Sequence, residues 1–303
     1  MSTHAIELVQ ADEPECGDDG TVLIGANPNL GEKLAYEVLM RGLLEDEIRF
    51  GAALDEKLLG VHDDENKKSN RPKKKRKSTS KGDNTNNSAT TMDTAEKSNH
   101  NQVLLKRQQT YNDSRIDVEL RQNDKRCLIE IKNVVCADYC KDTAPSKKGK
   151  NHCVVVSDAS ASLDEDAEYS YQRSGLFPWG KKTQQFEDQK VVSARAIKHV
   201  RNLVDLHLTS AAKEQEVESS SSNSNLKNND GTLVTSCMVL FVLNRADCLS
   251  MRACHEGCGV FATELKKAAD AGVLVRSFRV KWTTEGLAYF DGIVPVDFSK
   301  TIT

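Results

Sequence analysis

One uninterrupted run of apolar side chains limits the possible fold of this chain more than any other feature. Residues Cys237–Leu243 read CMVLFVL and are followed by Asn244. A short apolar run without polar alternation is typical of a strand whose two faces are both buried. Strands of this kind lie inside sheets that helices cover, so the sequence predicts a central sheet flanked by helices.

The remaining regular segments agree with that architecture. They alternate between strand-like and helix-like patterns, and Gly272 follows the last helix at the position where glycine often ends one. The predicted segments are a strand at Val22–Ile24, a helix from Leu30, a helix over Gln185–Leu208, a helix over Phe261–Gly272 and a strand over Val273–Trp282. The predicted fold class is therefore α/β (α+β), with a central mixed sheet flanked by helices.

Polar segments divide the chain. Residues 1–20 are predicted to be a loose acidic leader, and residues 62–102 and 209–231 are rich in polar side chains with little to bury. Such composition is typical of disordered inserts. We therefore expect one domain over residues 21–298, interrupted by these two inserts.

Two segments between the inserts predict a β-hairpin. Ile116–Leu120 and Leu128–Lys132 each alternate apolar and charged side chains, and the intervening RQNDKR is typical of a turn. If the strands pair, their aliphatic side chains bury together on one face. The other faces then bring Asp117, Glu130 and Lys132 close to one another.

These three side chains suggest a metal site. Two carboxylates provide the oxygen ligands that Mg²⁺ or Mn²⁺ prefers, and such an ion activates water against a phosphate. Lys132 can position that water or stabilise negative charge, and Glu37, on the helix that begins at Leu30, can complete the site. The alternative is a solvated surface hairpin whose ion pair contributes about 0–1 kcal/mol.

Several segments, taken in order, resemble the sugar fermentation stimulation protein (SfsA) family. The resemblance covers nearly all of the ordered sequence from about 22 to 298. The matching segments are Asn27, Leu34 and Glu37, then Ser114-Arg115-Ile116-Asp117, Ile129–Val134, Phe177-Pro178, Ser193–Val200, MVLFVLNRAD and ELKKAADAGVLVRSFRVKWTTEGLAY.

The resemblance implies a fold and a site. Members of this family pair an N-terminal OB-fold with a C-terminal PD-(D/E)xK nuclease-like domain and are regarded as DNA-binding. Carried over by motif, the acidic and lysine core is Glu37, Asp117, Glu130 and Lys132, with the metal at Asp117 and Glu130. The residues expected to contact nucleic acid are Arg115, Arg195, Lys198 and His199. For two of them an alternative stays open, in which Arg195 pairs with a core carboxylate and His199 packs within the helix.

The sequence also departs from the family pattern. Ser193, Ala196 and Val200 replace the threonine, glycine and leucine of the helix motif. About twenty residues precede the strand at Val22, too few for the five strands of an OB barrel. The expectation is a nuclease-like domain without a complete N-terminal OB-fold, which leaves DNA contacts to other basic segments.

A basic run lies inside the first insert. Pro72, Lys73, Lys74, Lys75, Arg76 and Lys77 resemble a nuclear-import signal that an import receptor would bind. The alternative is a solvated charge run. With a net charge of −3 and no apolar run long enough for a membrane, we expect a soluble intracellular protein, with the nucleus favoured over the cytoplasm.

Three functions stay open on sequence grounds. The first is a Mg²⁺- or Mn²⁺-dependent nuclease acting on DNA, with RNA as an alternative substrate. The second is a DNA-binding or regulatory protein that keeps the nuclease fold without catalysis. The third is a degraded relic or a truncated gene product.

Overall fold

A computed structural model describes residues 8–12, 21–27, 29–48, 103–111, 114–122, 125–141, 144–145, 154–157, 171–219 and 236–299. The insert predicted over residues 62–102, with its basic run at 72–77, lies outside these ranges. So do residues 220–231 of the second insert. The predictions made for those segments stay predictions.

The described residues form sixteen strands and four helices. In chain order they are β1 (Leu8–Asp12), β2 (Thr21–Gly25), α1 (Leu30–Met40), α2 (Glu45–Ile48), β3 (Leu104–Tyr111), β4 (Ser114–Gln122), β5 (Lys125–Val134), β6 (Cys136–Ala137), β7 (Tyr139–Cys140), β8 (Val156–Ser157), β9 (Ser174–Phe177), β10 (Gln184–Phe186), β11 (Gln189–Val191), α3 (Ala194–Ser219), β12 (Ser236–Leu243), β13 (Ser250–Ala253), α4 (His255–Asp270), β14 (Leu274–Trp282), β15 (Ala288–Val294) and β16 (Val296–Asp297).

The central sheet has six strands in the order β15-β14-β12-β5-β4-β3. Strand β12 runs parallel to β5 and to β14, whereas β4 pairs antiparallel with β5 and β3, and β15 antiparallel with β14. The apolar run therefore occupies an interior strand, and its residues are buried on both faces. The predicted α/β fold with a central mixed sheet flanked by helices is confirmed.

Helices cover both faces of this sheet. Helix α1 packs through Ala35, Val38 and Leu39 against one face, where Met238 and Leu240 of β12 point. On the opposite face α3 and α4 pack against the alternate side chains of the same strand. Glycine is required at Gly31, because a Cβ there would lie 2.7 Å from Asn133 Cβ of β5. This close approach fixes the first turn of α1 over the end of β5.

Four predicted boundaries are wrong. The last helix, predicted over Phe261–Gly272, spans His255–Asp270. The helix predicted over Gln185–Leu208 begins only at Ala194, because residues 184–191 form the β10–β11 hairpin, with Glu187 in a left-handed conformation at its turn. The helix also extends to Ser219, so residues 209–219 are helical rather than part of an insert. Within the leader predicted over residues 1–20, Leu8–Asp12 form a strand that pairs with β2.

A second, smaller sheet has the order β16-β13-β9-β6. It surrounds a group of buried polar side chains that includes Asp138 and Arg252. In the part of the chain that the structure describes, no helix is both long and apolar enough to span a bilayer.

Candidate functional site

The hairpin of β4 and β5 opens at Asp117. The ladder between these strands runs from Gln122↔Lys125 to Val118↔Ile129 and stops there. Beyond that point the Asp117 carboxylate accepts a hydrogen bond from the Ile131 backbone N–H at 2.8 Å, in place of a main-chain partner. Continuing the register by one residue would place Asp117 opposite Glu130, as the sequence predicted.

The predicted alternation of β4 fails at this opening. Ile116 was expected to face the same way as Val118 and Leu120. Instead Ile116 packs with Leu128 in the core beneath α3 and α4, whereas Val118 and Leu120 pack beneath α1. Once β4 separates from β5, the strict two-residue period no longer determines which side chains share a face.

Glu130 and Lys132 form a buried ion pair. Lys132 Nζ donates to Glu130 Oε1 at 2.6 Å, and the two side chains are 10% and 2% exposed respectively. His199 Nδ1 of α3 contacts the same carboxylate oxygen. Glu130 and Lys132 therefore lie together, and their ion pair is buried rather than solvated as the alternative supposed.

Helix α3 links this carboxylate to an exposed arginine. Arg195 Nε donates to His199 Nε2 at 3.2 Å, one helical turn away. Since Nε2 must offer a lone pair to accept this bond, the proton of the neutral imidazole is at Nδ1, where it faces Glu130. The alternative in which Arg195 pairs with a core carboxylate and His199 packs within the helix does not describe this arrangement. His199 contacts the carboxylate, and Arg195 is linked to Glu130 only through the His199 ring.

The two carboxylates have opposite pKa shifts. Burial raises the pKa of Asp117 to about 6, the negative charge of Glu130 adds to the increase, and the hydrogen bond from Ile131 opposes it. Burial also acts to raise the pKa of Glu130. The hydrogen bond from His199 and the charge of Lys132 outweigh this effect, and the pKa of Glu130 is lowered. One acid is therefore firmly ionised, and its charge acts against ionisation of the other.

Glu37 does not join this group, which corrects the prediction. Its side chain is 63% exposed and pairs with Arg41, one turn along the same helix. The buried positions of α1 are Gly31, Ala35, Val38 and Leu39. At about 100° per residue, Glu37 lies on the side of the helix away from them.

Glu32 is the acid of α1 that lies near the site, and the sequence analysis did not identify it. Its negative charge contributes to the raised pKa of Asp117. Arg107 Nη2 and Gln108 Nε2 of β3 donate to its carboxylate at 3.2 Å and 3.3 Å. The available signal was its position at the flank of the buried face, next to Gly31.

Gln108 has an unusual backbone. Its φ is +52°, in the left-handed region that residues other than glycine rarely adopt. The β3–β4 register places it opposite Asp117, and the ladder skips this pair. A strained residue maintained beside two acids is typical of functional sites.

Two predicted nucleic-acid contacts lie apart from Glu130. Arg115 is exposed on β4, opposite Thr110 of β3. Lys198 is exposed on α3 and lines a separate depression with Phe186 and Asp205. The structure brings Arg195 and His199 to Glu130 and records no contact of Arg115 or Lys198 with that carboxylate.

A divalent cation fits the chemistry of this donor set. Glu130 Oε1 is bonded to Lys132 and His199, whereas its buried Oε2 has no hydrogen-bond partner among the described residues. A buried oxygen of this kind is costly without a ligand. Across the described ranges no group of three or more His, Cys, Asp or Glu side chains is clustered as a complete metal site. Any ion held by Asp117 and Glu130 would therefore take further ligands from water or substrate.

The chain is similar to a solved structure. The chain resembles the structure titled "The structure of Pyrococcus Furiosus SfsA in complex with Ca2+", with 16% sequence identity and a TM-score of 0.38. The resemblance covers 66% of this chain and 56% of that one, so the chain spans little more than half of the length of that protein. No curated protein matches the chain.

A family model gives the more specific match. Residues 86–162 match the model described as "Sugar fermentation stimulation protein RE domain". These residues include β3, β4 and β5, and therefore Asp117, Glu130 and Lys132. Over residues 86–162 the chain is therefore similar to the sugar fermentation stimulation protein family.

Proposed function

We propose that this chain is a metal-dependent nuclease of the PD-(D/E)xK type that hydrolyses phosphodiester bonds in DNA. The observation that carries the proposal is the state of Glu130. One of its oxygens is held by Lys132 and His199, and the other is buried without a partner beside a second acid, Asp117. Glu119, which pairs with Arg121 and Arg126, also leaves one buried oxygen without a partner among the described residues. The second carboxylate beside Glu130 is the feature that a structural ion pair does not need.

Asp117 and Glu130 would hold Mg²⁺ or Mn²⁺. When bound, such an ion lowers the pKa of a water molecule and polarises a phosphate oxygen. Asp117 is ionised only above a pH of about 6 in the absence of other cations, because burial and Glu130 both disfavour its charge. Binding of a cation would relieve that repulsion.

Lys132 is the cation of the site. Its ammonium lies 2.6 Å from Glu130 Oε1, on the same face of β5. An ammonium in this position can orient an attacking water or stabilise the negative charge that develops on the phosphate. Because its side chain is only 10% exposed, its charge is weakly screened by solvent.

Arg195 provides the most direct contact to a nucleic-acid backbone. It is exposed, and only its Nε has a partner, His199, among the described residues. The terminal N–H groups of its guanidinium can therefore donate to a phosphate. The His199 contact orients Arg195 relative to Glu130, so a bound phosphate would lie close to the carboxylates.

A cleavage panel tests the proposal. Single- and double-stranded DNA and RNA are incubated with Mg²⁺ or Mn²⁺ and with wild-type protein, Asp117→Asn, Glu130→Gln or Lys132→Ala. Glu37→Gln is the matched control, because Glu37 is an exposed acid of α1 outside the site. The proposal requires divalent-dependent cleavage that the three site variants lose and the control keeps. Cleavage retained in both carboxylate variants would exclude this site.

A second function has its own support. Lys132 pairs with Glu130 and His199 contacts the same carboxylate oxygen, so this acid has a cationic partner without any added ion. This favours a DNA-binding or regulatory protein that keeps the nuclease fold without catalysis. Such a protein would bind DNA in a salt-sensitive manner and would retain that binding in the Asp117→Asn and Glu130→Gln variants.

A further inference from the structure

A concave surface lies apart from Asp117, Glu130, Lys132, Arg195 and His199, which are called the Glu130 group below. A cavity of about 590 Å³ is bordered by the β10–β11 hairpin, α3 and α4. Its volume falls in the range of roughly 300–1,000 Å³ that small-ligand sites occupy. The lining residues are Lys182, Glu187, Gln189, Lys190, Val191, Arg201, His255, Cys258, Gly259, Val260, Thr263 and Glu264.

Helix α4 forms one wall of the cavity, and this wall has open space at Gly259. The helix is interrupted at Cys258, whose φ of −152° and ψ of 78° are not helical. The next residue, Gly259, lacks a side chain, and a Cβ added there would have no atom within 4 Å. The space in front of Gly259 is therefore available to a ligand, and a larger side chain could fill it without a clash.

The charged groups of the cavity leave an excess of positive charge. Both lining carboxylates, Glu187 and Glu264, accept hydrogen bonds from Arg201, at 2.5 Å and 3.1 Å. Lys182 and Lys190 are exposed, and neither side-chain ammonium group has a hydrogen bond or ion pair to any residue that the structure describes. Lys267 also donates to Glu264, so both acids have cationic partners, whereas two ammonium groups lie unpaired at the same cavity. The lining residues Lys182, Lys190 and Arg201 outnumber the two acids by one charge.

We propose that this cavity binds a phosphate group, with Lys182 and Lys190 supplying charge and His255 and Thr263 supplying further hydrogen bonds. Lysine ammonium groups are common phosphate ligands. The phosphate belongs either to a free mononucleotide or to a nucleic-acid strand, because both present the same oxygens. This proposal is independent of the nuclease function, since no residue of the Glu130 group lines the cavity.

Calorimetric titration in EDTA tests it on the full chain without cleavage. The titrants are inorganic phosphate, a 5′-mononucleotide and a short oligonucleotide without terminal phosphates. We expect Lys182→Ala/Lys190→Ala to weaken binding by about tenfold or more, with a reduced dependence on salt. Lys266→Ala/Lys281→Ala removes the same charge at positions outside the cavity and is the matched control.

Two further variants sharpen the result. Gly259→Leu places a side chain in the cavity and should weaken binding, whereas Glu37→Gln, which lies outside both sites, should leave binding unchanged. If Gly259→Leu does not fold, the Lys182→Ala/Lys190→Ala variant alone tests the proposal, because both lysines are exposed. Loss of mononucleotide or phosphate binding in the lysine variant identifies a free ligand, and loss of oligonucleotide binding alone identifies a nucleic-acid strand. Absence of binding to all three titrants, or wild-type affinity in the lysine variant, overturns the proposal.

Discussion

Glu130 and Asp138 are equally buried carboxylates with opposite surroundings. Each residue is 1% exposed. Asp138, on the loop between β6 and β7, accepts hydrogen bonds from the Tyr171 hydroxyl and the Ser174 backbone N–H, both at 2.8 Å. Ser157 Oγ also donates to it, and the Arg252 guanidinium lies 3.6 Å away. Both oxygens of Asp138 are therefore satisfied, whereas Glu130 Oε2 is not.

The difference separates a structural acid from a candidate ligand. Folding can tolerate a buried carboxylate when donors surround it, because hydrogen bonds replace the water that it loses. Asp138 meets that condition, and we assign it to the stability of the smaller sheet. Glu130 meets it with only one oxygen, and a second acid lies nearby, so its surroundings are better explained by binding of a cation.

The largest expected effect is on stability at Asp138. Asp138→Ala removes the acceptor of three donors and leaves Arg252 with one fewer carboxylate in a buried region. We expect the free energy of unfolding to fall by about 3–5 kcal/mol, measured by urea denaturation. Glu130→Gln should cost clearly less stability than this. Equal losses for the two variants would remove the distinction between the two acids.

The next effect is on cleavage at Glu130. Glu130→Gln keeps the size of the side chain but removes its charge, so cleavage should fall on the order of 10²–10³-fold. Initial rates with Mg²⁺ and with Mn²⁺ provide the measurement, on protein whose folding is verified by circular dichroism. A rate close to that of wild type in this variant would show that the open oxygen has no catalytic role.

The third expected effect is a pH-dependent difference in stability between wild type and an Asp117 variant. Its pKa is raised from 3.8 to about 6 in the folded protein, so the folded state holds this proton more tightly than the unfolded state does. Its contribution to stability therefore falls as pH rises through this window and is constant above it. Asp117→Asn removes the charge while its amide oxygen can still accept the Ile131 hydrogen bond. We expect the variant to be more stable than wild type at pH 8 by about 1–3 kcal/mol.

Below about pH 3 that difference should disappear, because both states of the wild-type protein are then protonated at Asp117. Thermal unfolding from about pH 3 to pH 8 measures it. Added Mn²⁺ should stabilise wild type and leave the variant unchanged. A wild-type protein that is the more stable of the two at pH 8 without metal would mean that Asp117 is not under repulsion.

The smallest expected effect is a change in the pKa of Asp117, and it distinguishes the two acids of α1. Glu32 raises the pKa of Asp117, whereas Glu37 pairs with Arg41 at the surface. Glu32→Gln should lower the pKa of Asp117 by less than about one unit, and Glu37→Gln should leave it unchanged. Carboxyl NMR titration of Asp117 provides the measurement. An equal shift in both variants would restore Glu37 as a candidate.

Local patterns predicted most of the central sheet. The apolar run of β12, the alternation of β4 and β5 and the glycine after α4 each depend on neighbouring residues, so the sequence alone revealed them. The start of α3 was missed because residues 185–192 are compatible with a helix, and only the left-handed turn at Glu187 and the pairing of β10 with β11 make them a hairpin. Strand β1 was missed because its pairing with β2 is a tertiary contact.

The candidate site was predicted only in part, because local sequence patterns do not determine tertiary contacts. Glu130 and Lys132 follow from the alternation of β5. Asp117 lies near them even though the alternation of β4 fails at Ile116. Glu32 does not follow from a local pattern, because its proximity depends on how α1 lies over the sheet, which Gly31 and Asn133 determine. The contact of His199 with Glu130 likewise depends on the docking of α3. The partnerless Oε2 of Glu130 emerges only when all of these elements are assembled.

Binding of Mn²⁺ tests the central claim most directly, because it does not depend on the choice of substrate. Calorimetric titration at pH 7.5 would compare wild type with Glu130→Gln, Asp117→Asn and the control Glu37→Gln. We predict one site in wild type and in the control, and weakening by about tenfold or more in each carboxylate variant. Wild-type affinity in both carboxylate variants would contradict the assignment of Asp117 and Glu130 as a cation site.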